Sequence, residues 1–384
     1  MSLNRRRFLA AVGTSATTGL AGCFGDDADW PTFGHDGHNT NYNPAGSAPT
    51  DSPTERWRVE SYSTSAQPVV ADGTVYAPVG ADVLAIDAAS GEVKWSADPE
   101  NRGAIYWAPP TVRDGVAYLG DGDERLRAFD AESGEVLWER TFGDETFEAV
   151  YGAPTFGHNT DQLYVGTSGG YVYELDPETG ETVWRRSVFG SIETTLAVHQ
   201  TQLFAATTGG DVYALGTSGG GHWQTPLPDL SRSAPAVADG RLYVGCFDGK
   251  VYAIDVGRGT VEWSTGVGGF AKGGIAVADG RVFVDGGREV KVLDAESGQR
   301  LWSVGVGSSG DHTPIVVGDT LYTGGDTLYA FDVSGGVGIG DLRVGATRFA
   351  KRFQRGVSQV AAGDGLLVAG VGESEDDHYV VAFE

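Results

Sequence analysis

A motif that ends in tryptophan recurs along almost the whole chain, and its spacing limits the fold more than any other feature. Pro68–Trp95 reads PVVADGTVYAPVGADVLAIDAASGEVKW, and Pro235–Trp263 reads PAVADGRLYVGCFDGKVYAIDVGRGTVEW, in a common register. Trp57, Trp95, Trp138, Trp184, Trp223, Trp263 and Trp302 are separated by 38, 43, 46, 39, 40 and 39 residues. A period of roughly 40 residues is that of a four-stranded propeller blade.

Each unit consists of short alternating apolar runs broken by turn residues, the mark of half-buried strands. In the unit Pro235–Trp263 the pattern predicts an innermost strand from Ala236 and a turn at Asp239-Gly240. A second strand over Arg241–Gly245, a third over Lys250–Asp255 and an outermost one over Thr260–Ser264 follow. The Asp-x-x-Ser/Thr-Gly-Glu segments, such as Asp130–Glu135 and Asp176–Glu181, read as turns. The Asp side chain accepts a backbone N–H two residues on, and Gly takes the positive φ. Calcium loops are a rival reading that the turn makes unnecessary, so no metal is expected. On the outermost strand each large indole packs against the neighbouring blade and buries ~150–250 Å². Trp57, Trp95, Trp138, Trp184, Trp223, Trp263 and Trp302 are therefore expected to be structural.

Units ending at Trp95, Trp138, Trp184, Trp223, Trp263 and Trp302 make six. Pro314–Val344 makes a seventh whose Trp is missing, with Ile339 to Leu342 expected in its place. Gln359–Phe383 supplies three strands, and Thr54–Glu60, with Trp57, a lone outermost one. Joined, they complete an eighth blade from both ends of the repeat region, and closure removes exposed sheet edges. The fold expected is all-β, an eight-bladed propeller of four-stranded antiparallel blades over residues 54–384.

The repeated ADG-x-hydrophobic-Tyr-Val/Ala-Gly…Tyr-Ala-hydrophobic-Asp-x-x-x-Gly-x-x-x-Trp pattern resembles the PQQ-like (quinoprotein-type) eight-bladed β-propeller repeat family. Trp30-Pro-Thr-Phe-Gly-His-Asp-Gly-His-Asn-Thr is similar to the lead-in that such proteins place before their first blade. The family holds quinone-dependent dehydrogenases and non-catalytic scaffolds, among them BamB-like lipoproteins of outer-membrane protein assembly, and fold does not transfer function. The dehydrogenases use a vicinal Cys–Cys disulfide under the cofactor, a calcium held by acidic and Asn side chains, and an Asp base. No segment here matches those motifs.

Residues 1–22 read as an address label. Asn4-Arg5-Arg6-Arg7-Phe8-Leu9 resembles a twin-arginine export motif, and Leu20-Ala21-Gly22-Cys23 a lipobox with Cys23 as the lipid attachment point. The apolar stretch Phe8–Leu20 is too short to span a ~30 Å bilayer core. Residues 23–53 then form a tether and lead-in. A two-chain anchor holds stably, which puts the protein on the outer face of the cytoplasmic membrane. With Cys23 committed to a thioether, Cys246 has no disulfide partner.

The chain holds 27 basic and 52 acidic residues, a net charge of −25, and removal of Arg5, Arg6 and Arg7 with the leader leaves −28. Such a surface repels itself at low salt and is relieved by screening. The balance resembles that of haloarchaeal proteins, and it argues against a nucleic-acid partner.

Loops leading into innermost strands surround the axial funnel of a propeller. Here they carry Tyr106, Trp107, Tyr151, Glu193, Arg232, Lys272, Asp311, His312, Arg355, Ser358 and Gln359. Arg232, Lys272 and Arg355 fall at equivalent positions, and with Trp107 and Tyr151 they could hold a flat anion. The alternative is a set of rim residues paired with Glu193 and Asp311. His35, Asp36, His38 and Asn39 read as local caps of the lead-in in preference to a metal cluster. Phosphate-binding Gly loops, Cys-x-x-Cys pairs and nucleophile motifs are absent. The leading expectation is a monomeric, lipid-anchored, non-catalytic platform for proteins or peptides, with no cofactor. The rival is a quinoprotein-like redox enzyme, or a binder of PQQ with calcium or of another small anion.

Overall fold

The computed structural model describes residues 29–62, 66–97, 105–143, 147–157, 160–269, 273–307, 312–339, 342–374 and 377–384. Among them there is no helix, and the strands build six four-stranded antiparallel sheets, one eight-stranded sheet and a two-stranded hairpin. The unit read first from sequence contains Ala236–Ala238, Arg241–Cys246, Lys250–Asp255 and Val261–Gly266, paired in chain order. Asp239 (φ 48°) and Gly240 (φ 76°) both take left-handed backbone, which is the two-residue turn that matches strand twist. The longer turn begins at Asp255, whose carbonyl accepts the Gly259 N–H at 2.8 Å, and Gly259 has φ 70°.

The recurrent tryptophan and the recurrent Asp-x-x-x-Gly turn prove to be two halves of one contact. Six of the seven repeat indoles donate their N–H to the carbonyl one residue past the start of the next sheet's turn. Trp57 reaches Ala88 at 2.8 Å, Trp95 reaches Ala131 at 3.0 Å, Trp138 reaches Pro177 at 2.9 Å and Trp223 reaches Val256 at 2.8 Å. Trp184 and Trp263 bond Thr217 and Ala295 in the same way. Tyr76, Tyr118, Tyr164 and Tyr243, on second strands, share those acceptors. The ring then lies on the turn glycine: a Cβ on Gly134 would sit 2.7 Å from the Trp95 ring, and one on Gly259 2.6 Å from Trp223. Apolar clusters fill each seam behind these latches, as where Val69, Tyr76 and Trp95 meet Val112, Leu119 and Phe129.

The eight-stranded sheet departs from the expected pattern. Ile339–Leu342 does not hold the position of the missing tryptophan, because Val337–Ile339 and Leu342–Val344 form a separate hairpin inserted ahead of it. Phe349 stands there instead, opposite Ala330 as Trp263 stands opposite Ala253. Its strand, Thr347–Gly363, continues as the partner of Leu366–Gly372 and so runs through two units without a break. Leu366–Gly372 pairs with His378–Phe383, and that strand pairs antiparallel with Glu55–Ser61, from Glu55↔Phe383 to Ser61↔His378. Phe349 has no N–H to donate; Tyr322, beside it, donates to Pro49 at 2.9 Å. The turn after Asp332 is closed by the Gly335 N–H on the Asp332 carbonyl, as the turn after Gly216 is by Gly219. Trp184 keeps its bond at the Gly216 turn, whereas the buried Trp302 indole N–H finds no acceptor among the described residues.

Gly73 and Gly134 both have positive φ, but only at Gly134 is the space beyond filled by a ring. Gly73→Ala is expected to lower stability by about 1–2 kcal/mol, the cost of a left-handed non-glycine residue. Gly134→Ala should cost a further ~1–3 kcal/mol through displacement of Trp95. Denaturant unfolding in molar salt measures both; equal losses would contradict the latch.

Candidate functional site

An innermost strand has one edge on its own sheet and one on the propeller axis, where N–H and C=O groups need partners. The lead-in supplies them. The middle residue of six innermost strands donates its N–H to a lead-in carbonyl: Val70 to Trp30, Val112 to Pro31, Val198 to Gly37, Val237 to His38, Val277 to Thr40 and Val316 to Asn41, at 2.6–2.9 Å. Gly37 also passes so close to the innermost strand Thr155–Phe156 that a Cβ would lie 3.2 Å from the Phe156 carbonyl. Asn39 Nδ2 donates to Leu196 (3.1 Å) and Pro235 (3.0 Å), Asn41 Nδ2 to Ile275 (3.1 Å), and Asn43 Nδ2 to Asp29 (3.1 Å), which closes the loop on itself. Asn39 and Asn41 have φ of 56° and 51°, conformations that Asn tolerates better than most residues. The capping expected of this segment is found at Asp36, which accepts the N–H groups of His38 and Thr40. Asn39 instead ties two neighbouring innermost strands together.

On one side of this plug Asp36 and His38 stand 3.6 Å apart. Burial works against the Asp36 carboxylate, but the hydrogen bond and charge of His38 outweigh it and hold its pKa below the usual value. The hydrogen bond to Asp36 raises His38, against burial. On the other side Phe33 forms the floor of a cavity of about 140 Å³. Tyr151, Glu193, Arg232 and Gln359 line it, as the funnel reading expected, together with Thr194, Thr195 and Thr313. Arg232 Nε donates to Glu193 Oε2 at 2.8 Å, and Gln359 Oε1 accepts the Thr313 N–H at 2.9 Å.

Other expected funnel residues lie elsewhere. Tyr106 is buried, and its hydroxyl oxygen accepts a bond from Arg127 at 2.7 Å beside Asp121; burial pushes its pKa up to about 12. Trp107 is exposed over Gly122, and Arg355 stands on the strand Thr347–Gly363 beside Gly372. His312 places its backbone against Gly273 but does not line the cavity. Ser358 accepts the Gly370 N–H. Lys272, Asp311 and Cys23 lie outside the described residues. Phe33 and the three threonines were missed by sequence reading. The alternating Asn39, Asn41 and Asn43 carried a signal for the plug, whereas the threonines had none that distinguishes them from strand residues.

The cavity, of about 140 Å³, has one carboxylate among its described lining residues, Glu193, and Arg232 engages it. No group of three or more His, Cys, Asp or Glu among the described residues is placed to hold a metal ion. Cys246 lies away from the axis in a seam, its thiol 3.3 Å from the Asp229 carbonyl and its pKa raised by burial.

Loss of Asn39 leaves the buried Pro235 carbonyl without its donor and the Leu196 carbonyl with the Thr155 hydroxyl alone. Asn39→Ala should therefore cost about 1–3 kcal/mol, read by denaturant unfolding; a loss within ~0.5 kcal/mol would contradict the plug. The Asp36–His38 pair has its own pH signature. The raised His38 contributes below its unfolded value near 6.5 and is lost as pH rises through its folded pKa. The lowered Asp36 contributes above 3.8 and is lost as pH falls. The stability difference between wild type and His38→Gln should thus be largest between these values; a difference flat with pH would contradict the pairing.

Comparison with known proteins places this architecture. Quinohemoprotein alcohol dehydrogenase from Comamonas testosteroni superposes with a TM-score of 0.76 at 16% identity, over 93% of this chain and 80% of that one. In sequence the chain is 33% identical over 146 residues to the dehydrogenase subunit of the quinone alcohol dehydrogenase of Gluconacetobacter polyoxogenes, which is 31% of this chain and 19% of that protein. It is 24% identical over 302 residues to the outer membrane protein assembly factor BamB of Shewanella oneidensis, 75% of this chain and 66% of the relative. The chain thus spans about a fifth to a quarter of the length of the quinone alcohol dehydrogenases that it matches. The profile of the family described as outer membrane protein assembly factor BamB matches residues 48–195, 169–270 and 248–370, and the chain belongs to that family of PQQ-like propeller repeats.

Proposed function

We propose that the chain is an exported, membrane-anchored scaffold that presents its propeller to other proteins and carries out no reaction of its own. The observation behind this is the axis, which the protein fills with its own residues 29–43, leaving about 140 Å³. On this reading the eight-stranded sheet is two blades that share Thr347–Gly363, giving eight in all, the last zipped from both ends. Residues 1–22 are a twin-arginine leader, Cys23 carries the lipid, residues 23–53 are tether and lead-in, and residues 54–384 the propeller. The protein works as a monomer on the outer face of the cytoplasmic membrane, its acidity suited to high salt. Membership of the BamB family supports a protein partner. A second reading, quinone-dependent redox chemistry, is favoured by the 33% identity to the Gluconacetobacter polyoxogenes subunit.

Cross-linking in intact cells followed by mass spectrometry should recover a protein partner; no partner in any growth condition would contradict the scaffold. Titration with PQQ and calcium in molar salt should change no absorbance and support no dye-linked alcohol oxidation. Saturable binding that is lost in Arg232→Ala would favour the second reading. Cys23→Ser should release the protein from membranes or leave its leader uncleaved, and unchanged membrane retention would contradict the anchor.

A further inference from the structure

Several side chains of the axial cavity have hydrogen-bond donors to spare. Thr195 Oγ1 already accepts the Ala153 N–H at 3.0 Å, and Thr313 Oγ1 accepts the Gly274 N–H at 2.8 Å. A hydroxyl that has accepted one bond still has its proton to give. Thr194 Oγ1 is buried in the same wall without a partner, and a buried hydroxyl in that state is costly. Arg232 spends Nε on Glu193, and its two terminal amino groups have no partner among the described residues. Glu193, the only carboxylate among the described lining residues, pairs with that guanidinium through Nε. Three hydroxyls and a guanidinium edge thus surround one small space whose floor is Phe33.

Size and spare donors together define what the space takes. The space of about 140 Å³ is enough for a carboxyl group and a short side chain. We propose that the axial cavity is a receptor for a carboxylate on a short, largely apolar stem, held by Arg232 and Thr194, with Thr195 and Thr313 donating from the wall and Phe33 beneath the stem. On the scaffold reading above, on which this identification of the source rests, the carboxylate is the C-terminus of a partner polypeptide. The charge-assisted pair with Arg232 is the strongest single contact in such a site. The protein's net charge of −25 opposes any anion from a distance, and molar salt screens that repulsion while leaving contacts within the cavity in force.

The test is calorimetric titration of the full chain in molar KCl with three probes: acetyl-tetra-alanine as the free acid, the same peptide amidated, and propionate. The free acid should bind saturably, the amide at least tenfold more weakly, and Arg232→Ala should weaken the free acid at least tenfold. Thr194→Val keeps the shape and removes the orphaned hydroxyl. It should raise the unliganded unfolding temperature while weakening the free acid, a combination that a merely structural role does not give. Equal binding of acid and amide, or binding indifferent to Arg232, would overturn the proposal. Propionate binding with the same Arg232 dependence, without peptide binding, would keep the carboxylate site and remove the partner C-terminus as its source. If no probe binds while cross-linking still recovers a protein partner, the receptor falls and the scaffold stands.

Discussion

An innermost propeller strand has an open edge on the axis, and a ring of such edges is stable only if something pairs with them. Here residues 29–43 do so from within, taking a backbone N–H from six innermost strands and adding the side-chain amides of Asn39 and Asn41. This is a long-range constraint imposed by a short segment: Asn39 alone joins strands that follow Leu196 and Pro235. The plug also fixes what the axis can do. Phe33 ends the funnel as a floor, so that the space above it is shallow.

The outside of the ring is held by a different device, repeated at six seams. An indole N–H donates to a turn carbonyl, shared with a tyrosine hydroxyl at four of them, and the indole lies on a glycine whose φ only that residue adopts without strain. The carbonyl is presented by an Asp-capped turn, as at Asp130, where the carboxylate accepts the Ser133 N–H and hydroxyl. At the turn after Asp332 the latch is absent and Trp302 has no acceptor among the described residues, although the equally short turn after Gly216 keeps its bond from Trp184. The next seam has Phe349 in place of tryptophan and is covered by the segment around Pro49 and Pro53, to which Tyr322 and Lys351 donate.

Features that recur in the sequence were legible from it, because periodicity and turn chemistry are local. The strand pattern of Pro235–Trp263, the left-handed Asp239-Gly240 turn and the pairing of Glu55–Ser61 with the C-terminal strand all follow from spacing. Features that occur once were not. The hairpin Val337–Ile339/Leu342–Val344 shifted the register, so Phe349 could not be identified as the tryptophan's substitute. The path of the lead-in depends on backbone carbonyls, which carry no residue signature. For the site, Tyr151, Glu193, Arg232 and Gln359 were readable as loop residues ahead of innermost strands. Tyr106 met the same criterion and turned inward, because Arg127 and Asp121 offer its hydroxyl a buried partner. The threonines of the wall look like ordinary strand residues until their hydrogen bonds are traced.

Native-state amide hydrogen exchange at Val70, Val112, Val198, Val237, Val277 and Val316 tests the central claim most directly. If the lead-in pairs with the axial edges, these six amides exchange only through global unfolding, as slowly as those of central strands such as Lys250–Asp255. Exchange at the rate of exposed turns, with the central strands still protected, would mean that the axis is open and that the account of the plug is wrong.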